Sequence, residues 1–451
     1  VKHSGGETLD ALGWRASGRA DYEVPALELN EAEQTLLSAL VDAYDEAKED
    51  AAAELKRLLK KHCAERNILL GRESAERVLR AALANAVGFG PFDALLADDD
   101  LEEIAFTGVG QPIRVYHRTR GWLETNCAVT AKDFAVNTAN KMARPLGRRL
   151  TAQNPRLNAV LPNGSRLHAS IAPLTTNGAE LTLRKFKEKP FTVPDLAANG
   201  TLPLDAAAFL WLALYGDTSL VIAGSTGSGK TTTLNALFSF IPLNERIIIT
   251  EETPEISIPH KHCVRLVANA ELGITLKELV KDTLRMRPDR VIIGEVRDEG
   301  ETAALFDSLL AGQARGSYAT FHAASGGEAL ARFEALGARP ADLKALDLLL
   351  VQQRVLVYDA KTRRQRESRR VTELDLVQDG EAVPLFAYDA AKGALAKTRR
   401  YGGNALFERL EANYGMNASA LQKEAEKRCS HLQKLGGAPN FAEAVNAYLF
   451  G

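Results

Sequence analysis

Eight consecutive residues, Gly224-Ser225-Thr226-Gly227-Ser228-Gly229-Lys230-Thr231, satisfy the pattern GxxxxGK[ST]. Each residue type has a task there. Gly224, Gly227 and Gly229 allow backbone angles barred to residues with a side chain, so successive amides, those of Ser225, Thr226 and Ser228 among them, can curl around a polyphosphate. Lys230 offers a point charge to the outer phosphates, and the Thr231 hydroxyl is placed to ligate magnesium. The helix that starts here, with Thr232 in its first turn, turns its positive end towards the same anion.

Carboxylates and an imidazole follow at places suited to the same chemistry. Glu251 and Glu252 come after the run RIIIT, Gly294, Glu295, Val296 and Arg297 after RVII, and His322 after SYATF. Ligands of a parallel sheet sit at the carboxyl ends of its strands. A carboxylate there holds a metal's water shell or takes a proton from attacking water. A histidine there donates to the terminal phosphate and reports its hydrolysis. Singly, each also reads as a surface acid or a structural histidine. It is their succession after a phosphate loop that argues for a site.

Such a site needs a strand, a tight turn and a helix in unbroken order. The apolar run 220–223 and the helical residues 232–237 supply them on either side of the loop. Beyond, strands (RIIITEE, CVRLVA, RVIIGEV, SYATFHA, VQQRVLVYDA) alternate with helices over 276–287, 301–311 and 327–336. That order predicts an α/β fold: a RecA-like P-loop NTPase domain with a mostly parallel, doubly wound sheet over 204–451, closed by a hairpin around LFAYDAAKGALAK and helices from Ala405.

The first part, 1–189, reads as an α+β domain with leading helices. Residues 1–30 are irregular, with an edge strand over Tyr22 to Pro25; helices follow over 30–44, 51–64 and 74–87, with a solvated charged face at 45–50. GlyPheGlyPro at 88–91 stops the third helix, and alternation in IRVYHR predicts a strand. AsnGly at 163–164 predicts a hairpin, and ELTLRKF the last strand. Three prolines and no apolar period over 187–203 predict a linker, with 190–203 as the hinge.

At 451 residues the chain exceeds one ordinary core, and a net charge of −2 gives no global reason for nucleic acid as partner. Four scattered cysteines form no CxxC pair, which favours a reducing compartment, the cytoplasm. No apolar run approaches the roughly 20 residues that cross a bilayer, and no signal peptide precedes the first helix. The first residue is Val1 rather than Met, from which we expect a preceding segment. HKHC at 260–263 reads better as strand residues on alternate faces than as a metal cluster, KTRRQRESRR at 361–370 as a solvated turn, and Trp14, Trp122 and Trp211 as packing residues.

The blocks GSTGSGKTT, TEETPEI, LRMRPDRVIIGEVRDEGETAALFDSLLAGQARGSYATFHA, LPNGSRLH and LTLRKF resemble the signature blocks of the secretion ATPase superfamily, the motors of type II and type IV secretion, pili and archaella. GFGPFDALLADDDLEEIAFTGVGQPIRVYHRTRGWLETN and the tail through NAYLFG are most similar to its archaeal GspE and FlaI branch. The resemblance implies ATP and Mg2+ as cofactors, with Lys230 and Thr231 as the Walker A lysine and metal ligand. It sets Glu251 and Glu252 in the acidic "Asp box", Glu252 beside the metal, and Glu295 in the Walker B block, where Gly294 takes the place of the usual aspartate. His322 matches the "His box". Arg166 and Arg184 resemble arginines of the N-terminal domain that reach the nucleotide across the domain gap.

Three positions depart from the pattern: Glu252 replaces an aspartate, Asp298 a glycine and Asn269 an arginine. The catalytic role is therefore divided between Glu251 and Glu295. By resemblance the protein is a homo-hexameric motor working on a polytopic membrane platform protein within a filament or secretion machine, cytoplasmic and membrane-associated through partners, with no direct nucleic-acid binding. A nucleic-acid translocase on the same core is the alternative, and a nucleotide-gated scaffold a third reading.

Overall fold

The computed structural model describes residues 14–16, 18–24, 29–44, 50–185, 190–269, 272–359, 363–389 and 391–450. The chain divides into two compact units, Val1–Glu188 and Lys189–Gly451. The first contains β1 (Trp14–Ala16), α1 (Glu31–Ala43), α2 (Ala51–Glu65), α3 (Arg72–Ala86), α4 (Pro91–Ala97), β2 (Leu101–Phe106), β3 (Pro112–His117), β4 (Gly121–Val129), α5 (Phe134–Ala143), β5 (Arg156–Val160), β6 (Arg166–Ser170) and β7 (Glu180–Arg184). Asn30 caps α1 in a capping box with Glu33. Its strands form one sheet in the order β1-β4-β3-β2-β7-β6-β5, with every pairing antiparallel. Alternate residues such as Ile104, Val115, Leu167 and Leu183 enter a core shared with Leu36, Leu58 and Val78 of the leading helices.

Of the edge strand expected at Tyr22 to Pro25, Tyr22 makes a single bridge to Thr125 and Val24 donates its amide to Asn126 Oδ1 at 2.7 Å; Pro25 lies outside the described residues, as do 1–13 and 45–49. Trp14 is buried as expected, but Trp122 is 51% exposed, its ring edge-on to Tyr116 across β3 and β4.

The second unit runs α6 (Val193–Ala198), α7 (Leu204–Tyr215), β8 (Leu220–Gly224), α8 (Lys230–Leu237), β9 (Ile247–Glu251), β10 (Cys263–Val267), α9 (Leu276–Thr283), β11 (Arg290–Val296), α10 (Glu299–Leu310), β12 (Gly316–Phe321), α11 (Gly326–Ala335), α12 (Pro340–Leu343), β13 (Leu348–Asp359), β14 (Arg364–Gln378), β15 (Glu381–Asp389), β16 (Ala394–Lys397), α13 (Ala405–Tyr414), α14 (Ala418–Lys434) and α15 (Phe441–Phe450). The nine-stranded sheet has the order β10-β9-β11-β12-β8-β13-β14-β15-β16. Pairings from β10 to β13 are parallel, and those from β13 to β16 antiparallel. β8 shows why its sequence reads as an unbroken apolar run: Leu220 and Ile222 enter one helix layer, Val221 and Ala223 the other.

Two expectations are corrected. Residues 190–203 are no free linker but part of the second unit. Thr192 and Asp195 form a capping box for α6, and Val193, Leu196 and Leu202 are buried in the layer that holds α7. The prolines misled because Pro194 sits in the first turn of α6, where a missing amide costs nothing. The basic run, of which 361 and 362 lie outside the described residues, is mostly not a turn: from Arg364 it is β14, paired with β13 along its length. The C-terminal helices pack on α7: Arg428 of α14 lies over Trp211, Tyr215 and Tyr414, and Trp211 stacks on Phe240.

Asp375, on β14, is buried; Gly326 at the start of α11 lies so close that a Cβ there would meet Asp375 Oδ2 at 2.0 Å, and its amide donates to Glu373 at 2.8 Å. Burial, reinforced by the charge and hydrogen bond of Glu373, pushes the Asp375 carboxyl up to about 7. A folded pKa above the unfolded one means that folding takes up a proton, so this contribution is complete below the unfolded pKa near 3.8 and is lost as pH rises through 7. Asp375→Asn, with no proton to lose, is expected to raise the thermal midpoint relative to the parent at about pH 8 and to leave it little changed near pH 4. Equal differences at both pH values in a melting series refute this assignment.

Among the described residues, no helix is long and apolar enough to cross a membrane.

Candidate functional site

The phosphate loop joins β8 to α8. The chain leaves β8 in contact with its neighbour β13, and Gly224 makes this possible: a Cβ there would lie 2.0 Å from the Gln352 carbonyl oxygen. Gly229, at φ +94°, turns the chain into α8 in a conformation that side chains resist. Ser225 and Thr226 are exposed at the turn, Ser228 is buried, and Thr232 is half-buried in the first turn of α8. Lys230 crosses back over the loop, its Nζ donating to the carbonyls of Gly224 at 2.9 Å and Ser225 at 3.1 Å.

β9 ends in Glu251, which is 1% exposed. Its Oε1 accepts the amides of Glu255 at 2.6 Å and Ile256 at 2.7 Å, and Arg265 Nε stands 3.3 Å from Oε2. Burial raises its pKa, against the two amides and Arg265, which lower it. Glu251 thus folds the segment 252–256 upon itself. The result is that Glu255 reaches the phosphate loop, where its Oε2 accepts the Thr231 hydroxyl at 3.1 Å. Asn235 of α8 fixes the same turn, donating to the Glu255 carbonyl at 3.2 Å and accepting the Ser257 amide at 3.0 Å.

Glu252, expected beside the metal, instead pairs with Arg297. The carboxylate at Thr231 belongs to Glu255, a residue that the sequence reading missed although it stands in the quoted TEETPEI block. A hydroxyl and a carboxylate at the start of the helix form an oxygen donor set suited to Mg2+. Among the described residues, no group of three or more His, Cys, Asp or Glu forms a protein-only metal cluster, HKHC included. His260 of that motif is buried edge-on to Phe238, and burial lowers its pKa to about 4.

β11 and β12, side by side in the sheet, deliver Glu295 and His322. His322 Nε2 lies 2.5 Å from Glu295 Oε1, and Arg297 Nε donates to Glu295 Oε2 at 2.8 Å. Burial alone would raise the Glu295 pKa; the bond and charge of Arg297, with the charges of His322 and Lys230, outweigh it and hold the carboxyl below the usual range. Glu295 is therefore ionised and within the field of the loop lysine.

Gly294 stands opposite Glu251, and a Cβ there would come 3.0 Å from Glu251 Cγ. The departures have structural uses. Asp298 caps α10 by accepting the Glu301 amide at 2.8 Å, and Asn269 exchanges two backbone bonds with Ile274, each 2.9 Å.

The structure brings Lys230, Thr231, Glu251, Glu295 and His322 to the carboxyl edge of one sheet in the second unit. Arg166 and Arg184 belong to the first unit, where they are direct register partners on β6 and β7. Glu103 is the register partner of Arg184 on its other side.

A doubly wound sheet with a glycine-rich loop between its strand and helix, and polar residues at the ends of neighbouring strands, defines a phosphate-loop nucleotide-binding domain of RecA-like kind. The chain belongs to the type II/IV secretion system protein family, whose model matches residues 102–436. It is 45% identical over 222 residues to an uncharacterized protein of Methanocaldococcus jannaschii; that match covers 46% of this chain, which spans only 30% of the relative's length. It is 33% identical over 327 residues to a putative conjugal transfer protein of Mycobacterium tuberculosis, covering 69% of this chain and 91% of that one. Among solved structures, the Legionella pneumophila ATPase DotB overlays with a TM-score of 0.46 at 17% identity, over 73% of this chain and 84% of that one, a likeness too slight to bear on function.

Proposed function

We propose that the chain is a magnesium-dependent ATPase that acts as a homo-hexameric, archaeal-type motor for a pilus-like filament, an archaellum, or type II or IV secretion. It works from the cytoplasmic side through a polytopic platform protein and binds no nucleic acid. The observation that supports this best is the convergence of Lys230, Thr231, Glu295 and His322 at one sheet edge.

In this reading the loop amides and Lys230 bind the β- and γ-phosphates, and Thr231 with Glu255 would hold magnesium. The ion supplies charge neutralisation across the phosphates. Glu295, kept ionised by Arg297 and His322, orients the attacking water. Its lowered pKa suits that task, because a loose phosphoryl-transfer transition state demands positioning more than strong proton abstraction. His322 shares Glu295 and so registers a change at the terminal phosphate. By the resemblance alone, Arg166 and Arg184 would supply planar donors to the phosphoryl group in transit. Glu251 acts by shaping the 252–256 turn, not by touching water.

The test is ATP turnover with and without magnesium over a protein concentration series, with sedimentation on the same samples. Specific activity should rise as a hexamer assembles. Equal activity in a persistent monomer removes the ring, and absence of turnover removes the ATPase.

A further inference from the structure

The strands β13 and β14 leave the sheet as a two-stranded ribbon. β13 follows β8 only as far as Gln352, which faces Gly224, and β14 meets β15 only from Glu373 onward. Between these points the register of the ribbon slips, with Val351 opposite Glu373 but Gln352 opposite Val371. Thr372 is the extra residue. One inserted residue exchanges the faces of a strand. Its effect is to set Arg369 directly opposite Arg354, two residues beyond Gln352 and on the Gln352 face.

That face lies against the outer side of the phosphate loop. Arg369 Nε donates to the Gly227 carbonyl at 3.0 Å. Gln352, 1% exposed, donates through Nε2 to the Ser228 carbonyl at 2.7 Å and accepts the Thr233 hydroxyl at 2.6 Å. Arg354 flanks the same turn, 3.4 Å from where a Cβ of Gly227 would be, and is balanced by Glu367 at 3.6 Å. A phosphate loop binds its anion with inward amides, so its carbonyls must point outward. Here two successive outward carbonyls, those of Gly227 and Ser228, are each held by a side chain of the ribbon.

We infer that Arg369 is a positioning residue for nucleotide binding: its hydrogen bond to Gly227, beside that of Gln352 to Ser228, presets the loop so that its amides already face the polyphosphate. The inference rests on the reading of the loop as an ATP site. It requires a donor at Arg369, not a charge. Glutamine provides the discriminating substitution, because its Nε2 lies the same number of bonds from Cα as arginine Nε and carries no charge.

The experiment compares the full chain with Arg369→Ala and Arg369→Gln. It measures KM and kcat for ATP, and the affinity for inorganic tripolyphosphate, which has no base or ribose, by calorimetry. Arg369→Ala should raise KM about tenfold more than it lowers kcat and weaken tripolyphosphate by a similar factor, the scale of one lost hydrogen bond from a charged donor. Arg369→Gln should recover most of both losses. A glutamine variant as weak as the alanine one means that the charge itself acts on the ligand, and overturns the positioning role. So does an alanine variant with unchanged KM and tripolyphosphate affinity. A parent chain that binds neither ATP nor tripolyphosphate overturns the ATP-site reading, and this inference with it.

Discussion

Replacing Glu295 with glutamine is expected to lower ATP turnover by about a thousandfold while ATP still binds within a fewfold of the parent, the scale on which removal of one preorganised group at a reacting centre is felt. Glutamine keeps the shape but loses the charge that Arg297 and His322 surround, and with it the pull on attacking water. The control is Glu251→Gln. Its carbonyl can still accept the amides of Glu255 and Ile256, now 2.6 and 2.7 Å from Oε1, so the turn that carries Glu255 should survive and most turnover with it. Single-turnover phosphate release on both variants decides between the two acids. Loss in the Glu251 variant and persistence in the Glu295 variant reverse the assignment.

Lys230→Ala should weaken ATP and ADP by a factor of about a hundred or more, because a buried ammonium facing phosphate oxygens makes charge-assisted bonds that water no longer screens. The same substitution removes the two bonds from Nζ to the carbonyls of Gly224 and Ser225, so the loop also loses internal order. Ligand-induced stabilisation is the sensitive readout. A parent chain gains thermal stability with nucleotide according to its affinity, and the variant should gain almost none at the same concentration. A variant that melts normally without ligand yet still shifts with ATP shows that Lys230 is not the phosphate contact.

Much of this was legible in the sequence because the second unit obeys simple periodicities. Four apolar residues before a glycine turn, and apolar runs ended by acids, announce parallel strands covered on both faces. The phosphate loop announces its own chemistry. What stayed hidden has physical causes. β14 carries five charges over 364–370 because it runs past the sheet there as a ribbon, so its strand pattern reads like a solvated turn. The α6 segment looked like a linker because proline is read as a breaker, although the first turn of a helix accepts it. Glu251 and Glu255 are both carboxylates near a strand end, and nothing in their order says that the first will be turned inward to fold the second into place. Only the two amide bonds to Glu251 disclose that division of labour.

The absence of a side chain at Gly294 ties that position to residue 251. With Glu251 Cγ only 3.0 Å from where a Cβ of residue 294 would lie, any side chain added at 294 needs Glu251 to shift by a few tenths of an ångström. The two positions are therefore coupled: a side chain introduced at 294 requires Glu251 to yield, and shortening residue 251 alone would open a gap in the same place.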